Sequence, residues 1–281
     1  MPTIQRLYAW ANTAFVQGAP VDHTWVTSYD NNINSYPNLA AVLAASEDYW
    51  CCWGGFHARG GTPSLPDGAL GSQPGDIDLA RCLVASNADS ATSFPARGTI
   101  FTYGVDGVCH QLANQALYAT SIGSVAPLTV AQASGYWVST AIYGSYGLQL
   151  AAWRAKIATC SAAVAAAAAP SGAVVNMNAP APPNPPDEFE QHVGNVLGAG
   201  KLGVASQLLN LRAQFHTAAA AQAHAMVAPT ADELNARNQR FLDDAAKLLS
   251  ASDFAAIFGV PPGTKVDLVV ADPTRARPGT P

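Results

Sequence analysis

The chain has few charged side chains, and the positive ones are scarce in its first half. Only 12% of its 281 residues are Asp, Glu, Lys or Arg, and the formal net charge is −5. The first lysine is Lys156, and lysine and arginine form no cluster. Proteins that bind nucleic acid use such clusters to neutralise phosphates. We therefore expect no nucleic-acid partner.

Long apolar segments, a leader peptide and a regular cysteine pattern are also missing. The longest apolar run, 162–170, is alanine-rich and far shorter than the roughly 20 residues of a membrane-spanning helix. The N-terminus has no basic segment followed by an apolar one, so no secretory signal is predicted. Five cysteines without regular spacing predict no disulfide framework. The expected location is the cytoplasm, with export by a signal-less route as the alternative.

A change in composition near residue 161 divides the chain into four parts. Residues 1–160 contain all six tryptophans and all five cysteines. Residues 161–186 are rich in alanine and proline, which predicts an extended linker. Residues 187–257 are helix-prone and predict a helical appendage, and residues 258–281 form a Pro-rich tail.

The sequence pattern predicts an α+β fold with a mostly antiparallel sheet, followed by an all-α C-terminal segment. The predicted strands cover residues 4–15, 23–29, 48–57, 98–103 and 135–143. The predicted helices cover residues 37–46, 76–86, 108–120 and 145–160, and residues 60–75 are predicted as a loop. Asp76 is a predicted helix cap, and Thr230 with Glu233 forms a capping-box pattern.

One segment combines a strand-to-helix turn with a cysteine. A β-prone run ends at Gly104 and Gly107, and helix-prone residues begin at His110. Cys109 is therefore predicted at a helix N-terminus, where free amide groups and the helix dipole favour the thiolate. Because the thiolate is the nucleophilic form of cysteine, Cys109 is a candidate catalytic residue.

A cysteine nucleophile needs an imidazole as base and a further polar group that orients this imidazole. His23 opens one predicted strand and His57 ends the next, so antiparallel pairing would make them neighbours. We predict His23 as the base for Cys109 and His57 as its orienting partner. Asp22 and Asn114 are the alternatives for the orienting role.

Other side chains are predicted to support this site. The Cys109 amide is expected to bind the oxyanion, with a second donor from Tyr103 or His110. The His110 side chain itself is expected to point away from the thiol towards solvent. Trp25 and Trp53 are the candidate substrate-binding residues.

These residues resemble a known family. A cysteine at a helix N-terminus, a histidine opening a strand and a polar residue on the next strand resemble the NlpC-type papain-like cysteine peptidases and amidases. The histidines precede the cysteine here, which resembles the circularly permuted branch that includes the lecithin retinol acyltransferase-like proteins. His23-Thr-Trp-Val is similar to the family's His-Val-Gly-Ile strand, and Gly107-Val-Cys109-His-Gln is similar to its Asn-Cys-Glu-His segment.

The resemblance covers residues 1–160 and implies both a fold and an activity. It implies a papain-like core whose helix carries the nucleophile, and a bacterial hydrolase or acyltransferase that works through an acyl-thioenzyme. The implied substrate is a peptide or small amide, with peptidoglycan-type peptides as the natural class. No cofactor is expected.

Two other functions stay open. Zinc ligands are offered by Cys51, Cys52, His57, Cys109 and His110. Adjacent strand residues point to opposite faces and no Cys-x-x-Cys occurs, so a metal site ranks below the thiol enzyme. Alternatively, the alanine-rich helices of 187–257 would dock a partner protein or form a homo-oligomer, in a binding or assembly protein without enzymatic activity.

Overall fold

A computed structural model describes residues 3–13, 21–27, 49–50, 69–85, 104–122, 126–170, 184–223 and 229–269. Within these ranges the chain is an α+β protein in which helices predominate, as the sequence predicts in its class. The strands are β1 (Ile4–Thr13), β2 (Asp22–Thr27), β3 (Tyr49–Trp50) and β4 (Ala69–Asp76). The helices are α1 (Ile77–Ala85), α2 (Cys109–Thr120), α3 (Tyr136–Tyr143), α4 (Leu150–Ala168), α5 (Glu188–Leu197), α6 (Leu202–Ala223), α7 (Ala231–Leu248) and α8 (Ala251–Phe258), with a 3-10 turn at Ala199–Lys201.

The described strands form one antiparallel sheet in the order β3-β2-β1-β4. β1 lies inside this sheet, and its end pairs with the start of β2, where Asn12 is opposite His23 and Thr13 is opposite Asp22. Leu7 of β1 is fully buried and packs in the core on which α2 lies. This pairing brings the start of β2 next to the N-terminus of α2.

β4 corrects the last part of the predicted loop over residues 60–75, whereas residues 60–68 lie outside the described ranges. Ala69–Asp76 pairs with β1 along its length, with one irregularity at Ala9 and Trp10. This strand contains glycine and proline, which have low β propensity, so residue propensities do not predict it. Gly75 is required because a Cβ atom there would lie 2.6 Å from the Leu7 Cγ. Pro74 lies in a strand at the edge of the described sheet, which is where proline occurs within sheets.

Helix α2 is buried on nearly every side and is the central element of the fold. Leu112, Ala113 and Leu117 pack against the sheet together with Val26 of β2. The opposite face carries the buried polar residues His110, Gln111, Asn114 and Gln115, which bond with α3 and the loop after it. A helix covered in this way has a fixed position relative to both the sheet and the other helices.

The strand predicted over residues 135–143 is wrong, because this segment is helix α3. Its Tyr, Val, Thr and Ile residues are β-prone, but propensity is a weak signal where burial on several sides decides the structure. All of its residues except Trp137 are buried. Gly135 and Gly144 bound the helix in backbone conformations with φ of 77° and 75°.

The C-terminal helices share a hydrophobic core with the first part of the chain. Val138 and Ile142 of α3 lie in one cluster with Phe189 of α5, Phe241 of α7 and Phe258 of α8. The segment predicted as an appendage is thus packed on α3. Helix α4 continues to Ala168, so the first part of the predicted linker is helical. Residues 171–183 are outside the described ranges, and their linker role stays a prediction.

Several predicted caps are present. Asp76 Oδ1 accepts from the amides of Asp78 and Leu79 at the start of α1, at 3.0 and 3.1 Å. Thr230 and Glu233 form the predicted capping box of α7.

In the described part of the chain, no helix has the length and apolarity needed to cross a bilayer.

Candidate functional site

Cys109 is the first residue of α2, as its position after two glycines predicts. The Val108 amide at the N-cap donates to Gln111 Oε1 at 3.1 Å, which is half of a capping box and fixes the first turn. The Cys109 thiol is directed towards the start of β2, and its Sγ donates to the Asp22 carbonyl at 3.7 Å. The thiol therefore lies where the central helix meets the sheet.

Burial and the helix terminus act on this thiol in opposite directions. Cys109 is only 6% exposed, and desolvation raises the pKa of its thiol to about 11. The Thr24 amide and hydroxyl oppose this, as do the amides of His110 and Cys109, because all of them favour the thiolate. The Thr24 hydroxyl has no conventional hydrogen-bond partner among the described residues. When it is buried in this way, the Cys109 thiol is protonated, although several nearby donors would stabilise its thiolate.

β2 passes Cys109 but directs the predicted base elsewhere. Side chains alternate along a strand, and Val26 packs in the core shared with α2 while Thr24 contacts Cys109. His23 therefore lies on the other face of the strand, where it stacks on Trp25 with ring centroids 5.8 Å apart. The strand is the predicted one, but the orientation of His23 does not favour it as the base for Cys109.

His110 is buried, which corrects the expectation that its side chain faces solvent. It is 0% exposed, and its Nδ1 lies 2.8 Å from Ser139 Oγ on α3. Desolvation lowers the pKa of this imidazole to about 4, against a smaller contribution from the Asp22 carbonyl that raises the pKa. His110 is thus neutral at pH 7 and faces the same carbonyl as the Cys109 thiol.

Asp22 connects these groups to the loop before α3. Its amide donates to the Ser134 carbonyl at 3.0 Å, and its carboxylate accepts from the Ser134 amide at 2.8 Å. These two bonds fix the start of β2 and with it the carbonyl above Cys109. The predicted supporting role of Asp22 is consistent with this position, although its backbone, not its carboxylate, contacts the thiol.

A set of hydrogen bonds that joins α2, α3 and α5 was not predicted from the sequence. The Tyr136 hydroxyl donates to Glu188 Oε2 and accepts from Asn114 Nδ2, the latter at 2.9 Å. Asn114 Oδ1 accepts from the Val130 amide at 2.9 Å, so both ends of this amide are bonded. Asn114 therefore anchors α3 and does not act as the orienting partner of His23. Its position one helical turn after His110 is a signal in the sequence that could have pointed to this polar helix face.

The remaining predicted site residues are not all described. His57, Tyr103 and Trp53 lie outside the described residues, so their roles stay predictions, as do those of Cys51 and Cys52. Trp25 is described and is fully buried. Among the described residues, no group of three or more His, Cys, Asp or Glu side chains could hold a metal ion.

The chain was also compared with known proteins. It matches no protein-family model, no curated protein and no solved structure.

Proposed function

We propose that the protein is a thiol-dependent hydrolase or acyltransferase with Cys109 as its nucleophile. The observation that supports this most strongly is the position of the thiol. Cys109 is the first residue of the central helix, its sulfur lies at the start of β2, and the amides of Cys109 and His110 favour the thiolate. Amide groups at a helix N-terminus also stabilise an oxyanion. The first turn of α2 can therefore stabilise both the thiolate and the oxyanion of the tetrahedral intermediate in an acyl-transfer reaction.

The architecture supports a papain-like assignment for the first part of the chain. A central buried helix with the cysteine at its N-terminus, packed on an antiparallel sheet, is the arrangement that the resemblance to NlpC-type enzymes implies. In this proposal the Cys109 thiolate attacks an amide or ester carbonyl and forms a thioester. Water or an amine then releases the acyl group, and peptidoglycan-type peptides are the proposed natural substrates.

The high pKa of the thiol sets a condition on this activity. A thiol with a pKa of about 11 is almost fully protonated at pH 7, so its proton must leave as the substrate carbonyl is attacked. The covered state is therefore a resting state, and substrate or solvent must reach the sulfur before reaction.

The experiment is hydrolysis of a panel of aryl esters and peptide nitroanilides by the full chain. We expect turnover by the wild type, loss of turnover in Cys109→Ala and retention in Cys82→Ala. Cys82 is the matched control because it is more exposed than Cys109 and lies in a different cluster. Equal turnover by the wild type and Cys109→Ala would contradict the proposal.

A second function is favoured by the burial of Cys109. Cysteine is often a buried packing residue without chemistry. If Cys109 has only that role, the protein is a binding or assembly protein without enzymatic activity. A wild type that turns over no member of the panel would favour this alternative.

A further inference from the structure

After α8 the chain folds back and lies along α7 as an extended segment, residues 264–269. The segment is neither helical nor part of the sheet. Val266 and Leu268 are 1% and 4% exposed and lie in the core that α7 shares with α3. Lys265 and Asp267 form an ion pair on the other side, where Lys265 is exposed. Side chains that alternate between core and surface are typical of extended backbone. The segment therefore has the form of a peptide bound to a helix.

Two amide side chains of α7 hold the main chain of this segment. Asn235 Nδ2 donates to the Val269 carbonyl at 2.7 Å, and the Val269 amide donates to Asn235 Oδ1 at 3.0 Å. Gln239, one helical turn later, donates to the Thr264 carbonyl at 3.4 Å and accepts from the Val266 amide at 3.3 Å. These bonds use only backbone groups of the segment, so they do not depend on its side chains. Peptide-binding proteins obtain affinity in the same way and obtain specificity from pockets for side chains.

A side-chain pocket lies at the end of the segment, where Val269 packs on Gly104. A Cβ atom at Gly104 would lie 2.5 Å from Val269 Cγ1 and 3.4 Å from Leu234 Cδ1, so only glycine leaves room for this valine. The Gly104 carbonyl accepts from the Tyr143 hydroxyl at 2.8 Å, and Asn238 Nδ2 donates to the same hydroxyl at 3.1 Å. The floor of the pocket is thus held in place from α3 and α7. We call the two amides of α7 together with this pocket the α7 groove.

The chain's own segment fits one end of the α7 groove imperfectly. The bonds of Gln239 to the segment are 3.4 and 3.3 Å long, and its Nε2 also donates to Asp243 at 3.0 Å. The segment begins at a turn in which the Thr264 amide donates to the Pro261 carbonyl at 3.2 Å and Gly263 has a φ of 80°, as in a type II turn. This turn ties the start of the segment to the end of α8. A peptide without the turn can move closer to Gln239 and form shorter hydrogen bonds.

We propose that the α7 groove binds an extended peptide of a partner protein, and that residues 264–269 fill the groove until such a peptide displaces them. The peptide presents free amide and carbonyl groups to Asn235 and Gln239, and a branched aliphatic side chain to Gly104. A second copy of this chain is a poorer partner, because its own segment folds back through the same favourable turn and gains no contact by exchange. This inference is independent of the proposed function.

The first test measures peptide binding to the full chain by fluorescence anisotropy. The probe is a labelled, end-blocked peptide with the sequence of residues 264–269. Val269→Asp weakens the chain's own segment and leaves the α7 groove intact, so we expect this variant to bind the probe. The wild type should bind at least about tenfold more weakly, because a tethered segment competes at an effective concentration on the order of 1 mM. Adding Asn235→Ala to Val269→Asp should abolish binding. No binding to folded Val269→Asp, or equal binding after Asn235→Ala is added, would overturn the proposal.

The second measurement follows amide hydrogen exchange in the wild type by NMR. The amides of Val266 and Val269 donate to the two groove side chains. A displaceable segment opens locally, so we expect these amides to exchange faster than the amide of Leu242 in the core of α7, at rates that low urea concentrations do not change. Exchange in step with Leu242 would overturn the proposal even if Val269→Asp does not fold. A wild-type dimer in light scattering that is lost in Val269→Asp would assign the groove to a second copy and would also overturn the proposal.

Discussion

The Tyr136 hydroxyl joins three helices, and its removal gives the most quantitative prediction. It lies on α3, donates to Glu188 Oε2 on α5 and accepts from Asn114 Nδ2 on α2 at 2.9 Å. Tyr136 is 1% exposed, whereas Glu188 is half-buried. Tyr136→Phe keeps the ring and removes only these two bonds.

We expect Tyr136→Phe to lower the free energy of unfolding by about 1–2 kcal/mol near neutral pH. A hydrogen bond to a charged group contributes about 1.5–3 kcal/mol, and the partial exposure of Glu188 lets water replace part of it. Asn114 keeps its bond to the Ser145 carbonyl, so the loss at that end is small.

The effect should also depend on pH. Burial raises the pKa of Glu188 above its ordinary value of 4.5, and the Tyr136 hydroxyl acts against this by stabilising the carboxylate. An acid with a raised pKa in the folded state stabilises the fold below its unfolded pKa, and this contribution is lost as pH rises through the folded pKa. Without the hydroxyl the pKa of Glu188 rises further, so the deficit of Tyr136→Phe should grow with pH.

The assay is urea unfolding of wild type and Tyr136→Phe at about pH 4 and about pH 8, with two-state fits. Glu190→Gln is the control, because Glu190 is an exposed acid in the same first turn of α5. A Tyr136→Phe variant as stable as the wild type would show that these two hydrogen bonds do not stabilise the fold. A deficit equal at both pH values would show that the hydroxyl does not act through the Glu188 carboxylate.

Three further changes test the packing. Gly75→Ala places a Cβ against Leu7 and should cost about 1–3 kcal/mol, whereas Gly194→Ala, with nothing within 4 Å, should not destabilise; equal urea midpoints would contradict this. Arg212→Ala should cost about 3 kcal/mol, because the guanidinium donates to two buried carbonyls of α3; a melting temperature near the wild-type value would argue against that role. Thr230→Ala should cost about 1 kcal/mol by removing the α7 cap, and a smaller effect in chemical denaturation would mean that the capping box is unimportant.

The sequence predicted correctly those helices and strands that a few neighbouring residues determine. Alternation found β1 and β2, the capping box found the start of α7, and the glycines before Cys109 found the start of α2. These signals depend on hydrogen bonds and side-chain directions within one turn or one strand. They therefore do not require contacts with distant parts of the chain.

The errors arose where distant contacts decide the structure. Residues 136–143 are β-prone but helical, because α3 is buried between α2 and the C-terminal helices. The β4 strand contains Gly75 and Pro74, which have low β propensity. Gly75 is needed because Leu7 approaches closely, and β4 lies at an edge of the described sheet, where proline occurs.

Within the candidate site, sequence analysis found the nucleophile but not its surroundings. The order of residues placed Cys109 at a helix start, yet it could not show which face of β2 points to the thiol. His110 was expected in solvent because it follows Cys109 on the helix and was predicted to point away from the thiol. It is buried because α3 covers that face of α2 and supplies Ser139.

The proposed function requires that Cys109 forms a covalent acyl intermediate. The direct measurement is the intact mass of the protein after brief reaction with p-nitrophenyl acetate and an acid quench, followed by mapping of the modified peptide. We expect one acetyl group per chain, on Cys109, absent from Cys109→Ala and present in Cys82→Ala. An acetyl group on Cys82 alone, or equal acetylation of wild type and Cys109→Ala, would contradict the account.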